Sequence, residues 1–188
     1  CPSRALAPRR IGPTVDSKRR YAHWSLQWHS RCHRLTGPAS EPDAHNGPMP
    51  EMPEVESLAR FLTEKCVART IARIDLVAFS ALKTYDPPLS GLHGLEIESV
   101  TRRGKFLDLS AQGLHLVFHL ARAGWLRWRD SLPDAPPKPG RGPLALRVRL
   151  DDSSGFDLTE AGTQRKLAVY VVTDPLSIPM VATLGPDP

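Results

Sequence analysis

The most chemically suggestive stretch of this 188-residue sequence is "MPEMPEVE" at residues 49–56, in which Met-Pro-Glu occurs twice. Inside a chain, a proline nitrogen is an amide whose lone pair is delocalised into the carbonyl, so it is not a nucleophile. With Met49 as the first residue, and then removed, Pro50 carries a secondary amine that is partly unprotonated near neutral pH. Such an amine attacks electrophilic carbon, and the carboxyl group of Glu51 beside it can move a proton. The stretch therefore predicts a translation start at Met49.

A helix must hold these two residues in place. Apolar residues recur at helical spacing from residue 55 to residue 66, and Pro53 occupies a first-turn position. Glu54 and Glu56 lie where negative charge opposes the helix dipole. We expect a helix of about 13 residues. Its apolar positions are Val55, Leu58, Ala59, Leu62 and Cys66.

Beyond the helix, the sequence consists of short runs of alternating or aliphatic residues, separated by turn residues such as "SAQG" and "DDSSG". Residues 130–143 contain five prolines and are predicted to form a surface loop. One leading helix and about eight strands predict a mainly β domain, an antiparallel sandwich of two sheets. The runs are "TIARIDLVAF", "LEIESVTRRGKFLDLSAQGLHLVFHL", "GWLRWRD", "LALRVRLDD", "SGFDLTEA" and "KLAVYVVTD".

The first 48 residues differ from the rest in charge and composition. They hold eight Arg/Lys against three Asp/Glu, together with six prolines, whereas residues 49–188 hold seventeen of each charge type. We expect residues 1–48 to be an unstructured basic extension upstream of the true start, and residues 49–188 to be the folded domain. His29, Cys32 and His33 lie close together in the extension, but a metal or haem site needs more ligands. No metal site is predicted.

The bulk composition excludes several classes of protein. The chain is 40% apolar and 24% charged, as soluble domains are. No run approaches the roughly 20 apolar residues of a membrane span, and the start lacks a secretory signal. The three cysteines form no C-x-x-C pair, so neither a disulfide framework nor a cysteine-rich zinc site is indicated. We expect a cytoplasmic protein.

Three motifs together, "MPEMPEVES", "RRGKFLDL" at residues 102–109 and the final "LGPDP", resemble the formamidopyrimidine-DNA glycosylase and endonuclease VIII family of base-excision repair enzymes. The family begins with Met-Pro-Glu-Leu-Pro-Glu-Val-Glu, and this block differs only by Met52. The resemblance implies that Pro50 attacks C1′ of a damaged nucleotide and that Glu51 shuttles the proton. It also implies that Glu54 supports them.

The same resemblance implies a set of DNA contacts. Lys105 would face a DNA phosphate from a hairpin that turns at Gly104. In "HLARAGW", Arg122 stands where glycosylases of oxidised purines have the methionine of a His-Leu-Gly-Met-type loop. In "AGTQRKLAV", Arg165 and Leu167 stand at the Arg and Phe places of an Asp-Pro-Arg-Arg-Phe-Gly loop. These departures from the family pattern leave the identity of the excised base open.

The function implied is that of a DNA glycosylase with associated lyase activity at abasic sites, acting as a monomer on damaged double-stranded DNA. The resemblance covers about 140 residues. The family's C-terminal helix-two-turn-helix domain and zinc finger have no counterpart here, so no cofactor is expected in this chain. The competing interpretation is a non-catalytic β-sandwich that binds nucleic acid or protein, with Pro50 locked in an amide.

Overall fold

The computed structural model describes residues 51–138, 142–161 and 165–185. The predictions for the extension at residues 1–48, for Met49 and for the nucleophile Pro50 lie outside the described residues. Pro50 precedes the first described residue, Glu51, by one position in the sequence.

Helix α1 spans Met52–Cys66, so the helix expected from the apolar spacing is confirmed and is 15 residues long. Its buried side chains are the ones that the spacing selects, except for Leu58, which is only partly buried. The helix packs mainly on strand β2. Its four fully buried residues are Val55, Ala59, Leu62 and Cys66.

Eight strands form two four-stranded antiparallel sheets, as the alternating runs predict. The first sheet has the order β1-β6-β7-β5 and the second has the order β2-β3-β4-β8. The strands are β1 (Ile71–Leu76), β2 (Ser99–Arg103), β3 (Phe106–Ala111), β4 (Leu114–His119), β5 (Gly124–Arg129), β6 (Leu144–Leu150), β7 (Gly155–Glu160) and β8 (Ala168–Val172).

The two sheets bury their apolar faces against each other, which confirms the predicted sandwich. The rings of Phe118 on β4 and Phe156 on β7 lie 6.1 Å apart across this interface, and neither side chain is exposed. Burying a side chain of this size contributes about 2 kcal/mol. Helix α1 closes one side of the same core, because its four buried residues belong to the same apolar cluster.

The second sheet is also covered on its outer face. Phe106, Val117 and Val172 pack there against Ile178 and Val181. Val181 belongs to a short helix, α2 (Pro179–Ala182), that the sequence analysis did not predict. A four-residue helix is too short to show a period. Short 3₁₀ turns occur at Phe79–Ala81, Leu89–Leu92 and Pro175–Ser177.

The proline-rich segment has the predicted loop character, since residues 130–138, 142 and 143 contain neither helix nor strand. In the described part of the chain, no helix has both the length and the apolar character needed to span a bilayer.

Candidate active site and nucleic-acid interface

Several connections and the start of α1 lie at one end of the sandwich. His119, at the end of β4, pairs with both Phe106 and Ala168, the first residues of β3 and β8. Gly124, the first residue of β5, pairs with Glu160, the last residue of β7. The β2–β3 turn, the β4–β5 connection and the β7–β8 connection therefore meet at this end. The loops that carry Lys105, Arg122 and Arg165 are brought together.

The first contact of the site joins Glu51 to Lys105. The Lys105 Nζ lies 3.1 Å from Glu51 Oε2. Glu51 is the residue before α1, and Lys105 lies in the β2–β3 turn. The Glu51 side chain is 70% exposed and that of Lys105 is 33% exposed. A carboxyl group and an ammonium group thus share one accessible position next in sequence to Pro50, and an ion pair this exposed is easily exchanged for a ligand phosphate.

Glu54 fixes the start of the helix. The backbone N–H of Glu51 donates to Glu54 Oε2 at 3.0 Å, which is one half of a capping box. Since the first N–H groups of a helix have no intrahelical acceptor, this bond sets the direction in which the chain enters α1. The predicted support of Glu51 by Glu54 therefore has a backbone contact behind it.

Arg102 holds the hairpin against the helix. Its Nε donates to Glu56 Oε2 at 3.0 Å, and its Nη1 donates to the carbonyl of Gly104 at 3.2 Å. The Arg102 side chain is only 12% exposed. Hydrogen bonds from Arg102, and then from Arg60, lower the pKa of Glu56 below its usual range. One guanidinium thus links the helix start to the turn that presents Lys105.

The turn itself requires glycine. Gly104 has a φ of +58°, and a Cβ at this position would approach Leu184 Cδ2 to 2.9 Å. The residue is therefore constrained both by its left-handed backbone and by the end of the described chain packed against it.

His119 lies beside this group. Burial, and to a smaller extent the charge of Lys105, lower the pKa of His119. Its Nδ1 accepts the backbone N–H of Ala121 at 3.2 Å, so the ring carries its proton on Nε2. The ring also packs 4.8 Å from that of Phe106. A neutral imidazole is thus held next to the phosphate-facing lysine.

Arg122 is exposed in the β4–β5 connection, as its predicted role requires. Ala121 before it has a φ of +56°. That region favours glycine, the residue of the family's His-Leu-Gly-Met-type loop. The loop keeps a backbone conformation suited to glycine although the side chain has changed.

The β7–β8 connection carries Arg165 and Leu167, and the structure treats them differently. Arg165 is exposed and its Nη2 lies 3.4 Å from the carbonyl of Gly142. Leu167 is 1% exposed and belongs to the main core. The buried carboxylate of Glu160 accepts its N–H at 2.9 Å and draws it inward. The expectation that Leu167 contacts DNA is therefore corrected, since a core side chain cannot enter a base stack.

Sequence reasoning missed Arg102, Glu56 and His119 as members of the site. The adjacent arginines of "RRGKF" do not show which of the two turns toward the helix. His119 precedes a loop that was considered only for Arg122. The useful signal is strand register, because it places the last residue of β4 beside the first residue of β3.

A metal centre finds no support here. Among residues 51–138, 142–161 and 165–185, no group of three or more His, Cys, Asp and Glu side chains is arranged to hold a metal ion.

Fold and site together define a β-sandwich that presents an acid and a phosphate-facing lysine beside a potential terminal proline. Residues 49–168 match the model of the formamidopyrimidine-DNA glycosylase N-terminal domain, and the chain belongs to this family. A formamidopyrimidine-DNA glycosylase of Streptococcus thermophilus is 32% identical over 145 residues, covering 74% of this chain and 50% of the relative. One from Rhodococcus jostii is 37% identical over 116 residues, covering 58% and 37%.

Solved structures show the same fold. Lactococcus lactis formamidopyrimidine-DNA glycosylase bound non-covalently to DNA containing an abasic site matches with a TM-score of 0.59. The match covers 71% of this chain and 49% of that one, at 21% identity. The chain spans about half the length of the curated relatives it matches.

Proposed function

We propose that this chain is the catalytic half of a base-excision repair DNA glycosylase with lyase activity at abasic sites. The observation that carries the proposal is the 3.1 Å contact between Glu51 and Lys105, which joins an acid to a phosphate-facing base immediately after Pro50. Support comes from the family match and from relatives that are named as glycosylases.

The chemistry assigns one step to each group. The amine of Pro50, once terminal, attacks C1′ as the bond from C1′ to the base breaks, and Glu51 gives the leaving base a proton. The product is an iminium at C1′. It acidifies the C2′ protons, so loss of one of them expels the 3′ oxygen with its phosphate and cuts the strand. Water then releases the sugar fragment and restores the amine.

The DNA contacts follow from the same end of the sandwich. Lys105 would exchange its contact with Glu51 for a DNA phosphate, which frees the Glu51 carboxyl group for proton transfer. Arg122 and Arg165 are exposed on two neighbouring loops and would fill the space left by an extruded nucleotide. The partner is damaged DNA, the protein acts as a monomer in the cytoplasm, and the described half needs no cofactor.

A comparison of two glutamates in helix α1 or at its start tests the proposal. In a version extended by the C-terminal half of a formamidopyrimidine-DNA glycosylase, Glu51→Gln should abolish release of oxidised guanine from duplex DNA. Cleavage at a preformed abasic site should persist in part, because the amine can still condense. The control is Glu64→Gln, which removes an equal charge near the other end of the helix.

Equal loss of both activities in the two variants would contradict the assignment of Glu51. Full base release by Glu51→Gln would do the same. An extended protein whose amine never condenses with abasic DNA would favour the non-catalytic module instead.

A further inference from the structure

Strand β5 presents an aromatic and two arginines on one face. Trp125, Arg127 and Arg129 alternate with Leu126 and Trp128, which pack against the main core. The outward Trp125 is 39% exposed and the side chain of Arg129 is 46% exposed. Arg127 is exposed as well. We call Trp125, Arg127 and Arg129 the β5 strip.

The positive charge of the β5 strip is not neutralised by the sheet below it. Asp157 on the neighbouring β7 is 3% exposed, and Arg147 from the other side binds it through two hydrogen bonds of 2.7 and 2.9 Å. Arg129 Nε is 3.8 Å from the same carboxylate. Arg127 lies opposite Asp157 in register, yet no ion pair to Arg127 occurs within the described residues. The carboxylate is already matched by Arg147.

This excess charge stands out because the domain as a whole is balanced. Residues 49–188 contain equal numbers of basic and acidic residues. Residues 122–129, "RAGWLRWR", contain three arginines and no acid. Electrostatic attraction of an anion by this domain is therefore concentrated along one strand and the loop before it.

The β5 strip also begins at the candidate site. β5 starts at Gly124, two residues after the exposed Arg122, and it is the last strand in the order β1-β6-β7-β5. Side chains on one face of a strand repeat every 6.6 Å or so. A nucleic acid strand leaving the site could thus run along this edge and meet a new side chain at each repeat.

We propose that the β5 strip is a second DNA-binding surface, which takes single-stranded DNA flanking the target nucleotide. Arg127 and Arg129 bind backbone phosphates, and Trp125 stacks on an unpaired base. Basic residues interleaved with an exposed aromatic on a rigid strand are what single-stranded DNA recognition uses. The proposal rests on the proposed function for its partner, but it concerns undamaged DNA and a different sheet.

The test measures binding of the full 188-residue chain to a labelled, undamaged 20-nucleotide single strand by fluorescence anisotropy across a salt series. In Arg127→Gln/Arg129→Gln, the slope of log affinity against log salt should become shallower by about 1.4, since each lost phosphate contact removes about 0.7. Trp125→Ala should weaken binding about tenfold with the slope unchanged, because stacking is not electrostatic. Trp125→Phe should restore most of this loss.

Arg69→Gln is the matched control. The Arg69 side chain is 46% exposed, as that of Arg129 is, but it pairs with Asp152 after the far end of α1. It should leave affinity and slope near those of the wild type. The basic residues 1–48 are present in every variant, so differences between variants report on the β5 strip alone. Thermal unfolding of each variant verifies that it is folded.

Wild-type affinity and slope in the double arginine variant would overturn the proposal, as would an equal effect of Arg69→Gln. A slope change on duplex DNA but none on the single strand would also overturn it. Trapping of abasic DNA by borohydride reports separately on the proposed function. If trapping fails while the β5 strip variants still lose single-strand binding, the catalytic proposal is wrong and the surface stands.

Discussion

At the scale of single residues, the site depends on groups whose neighbours set their chemistry. Lys105 is held by Glu51 at 3.1 Å and lies close enough to His119 to lower the pKa of the imidazole. A DNA phosphate entering here would meet one permanent positive charge and one neutral ring. Lys105 is therefore the principal electrostatic anchor that the described residues offer near Pro50.

Lys105→Ala should weaken DNA binding and make its salt dependence shallower. One phosphate contact is lost, so the slope of log affinity against log salt should fall by about 0.7 on single strands and 0.9 on duplex. Anisotropy titrations at several salt concentrations measure this, with Arg69→Ala as the control for loss of an exposed charge elsewhere. An unchanged slope in Lys105→Ala would show that the lysine does not contact phosphate.

Cys66 gives a prediction about pH. Burial raises the pKa of its thiol from 9.0 to about 12 in the folded protein. The folded state therefore keeps the proton while the unfolded chain loses it, so the contribution of Cys66 is fully present below pH 9.0 and is lost as pH rises toward 12. The stability advantage of wild type over Cys66→Ala should shrink by up to roughly 1.4 kcal/mol per pH unit in that window. Urea unfolding across the window measures it, and a constant difference would contradict the assignment.

At the scale of elements, the helix start and the β2–β3 hairpin act as one unit. Arg102 bridges them through Glu56 and the carbonyl of Gly104. Its burial and its two partners on different elements distinguish it from the ordinary surface pair of Arg60 with the same Glu56, in which Arg60 is 78% exposed. The relative position of Glu51 and Lys105 therefore depends on Arg102.

Arg102→Ala should slow condensation with abasic DNA by about tenfold or more, because small displacements of reacting groups are costly. Arg60→Ala should have little effect, since it removes only a pair within the helix worth a few tenths of a kcal/mol. Single-turnover trapping rates at saturating DNA measure both variants, and circular dichroism verifies folding. Equal rates in the two variants would show that Arg102 does not position the site.

The elements themselves were largely predictable from the sequence. The spacing of Val55, Ala59 and Leu62 gave the correct face of α1, and period-two alternation gave eight strands. Helix α2 was missed because four residues carry no period. Leu167 was misplaced because sequence alignment does not reveal that Glu160 binds its N–H inside the core. Contacts between distant segments, such as Arg102 with Glu56, follow from register and packing.

At the scale of the whole molecule, charge is divided between parts with different roles. Residues 1–48 carry an excess of five positive charges, whereas residues 49–188 are neutral. A neutral domain has little general attraction for duplex DNA, so the affinity of this half must come from local groups such as Lys105 and the β5 strip. Single-stranded DNA needs no nucleotide extrusion and is the more demanding test of the chemistry alone.

The central claim is that Pro50, as a terminal amine, is the nucleophile. It is tested most directly by borohydride reduction with single-stranded abasic DNA, followed by mass spectrometry of the cross-linked peptide. Protein made from Met49 should lose its methionine and carry the DNA fragment on Pro50, while protein that retains residues 1–48 should not be trapped there, because the amide cannot condense. An adduct on Lys105, or equal trapping by both proteins with the extension intact by mass, would contradict the claim.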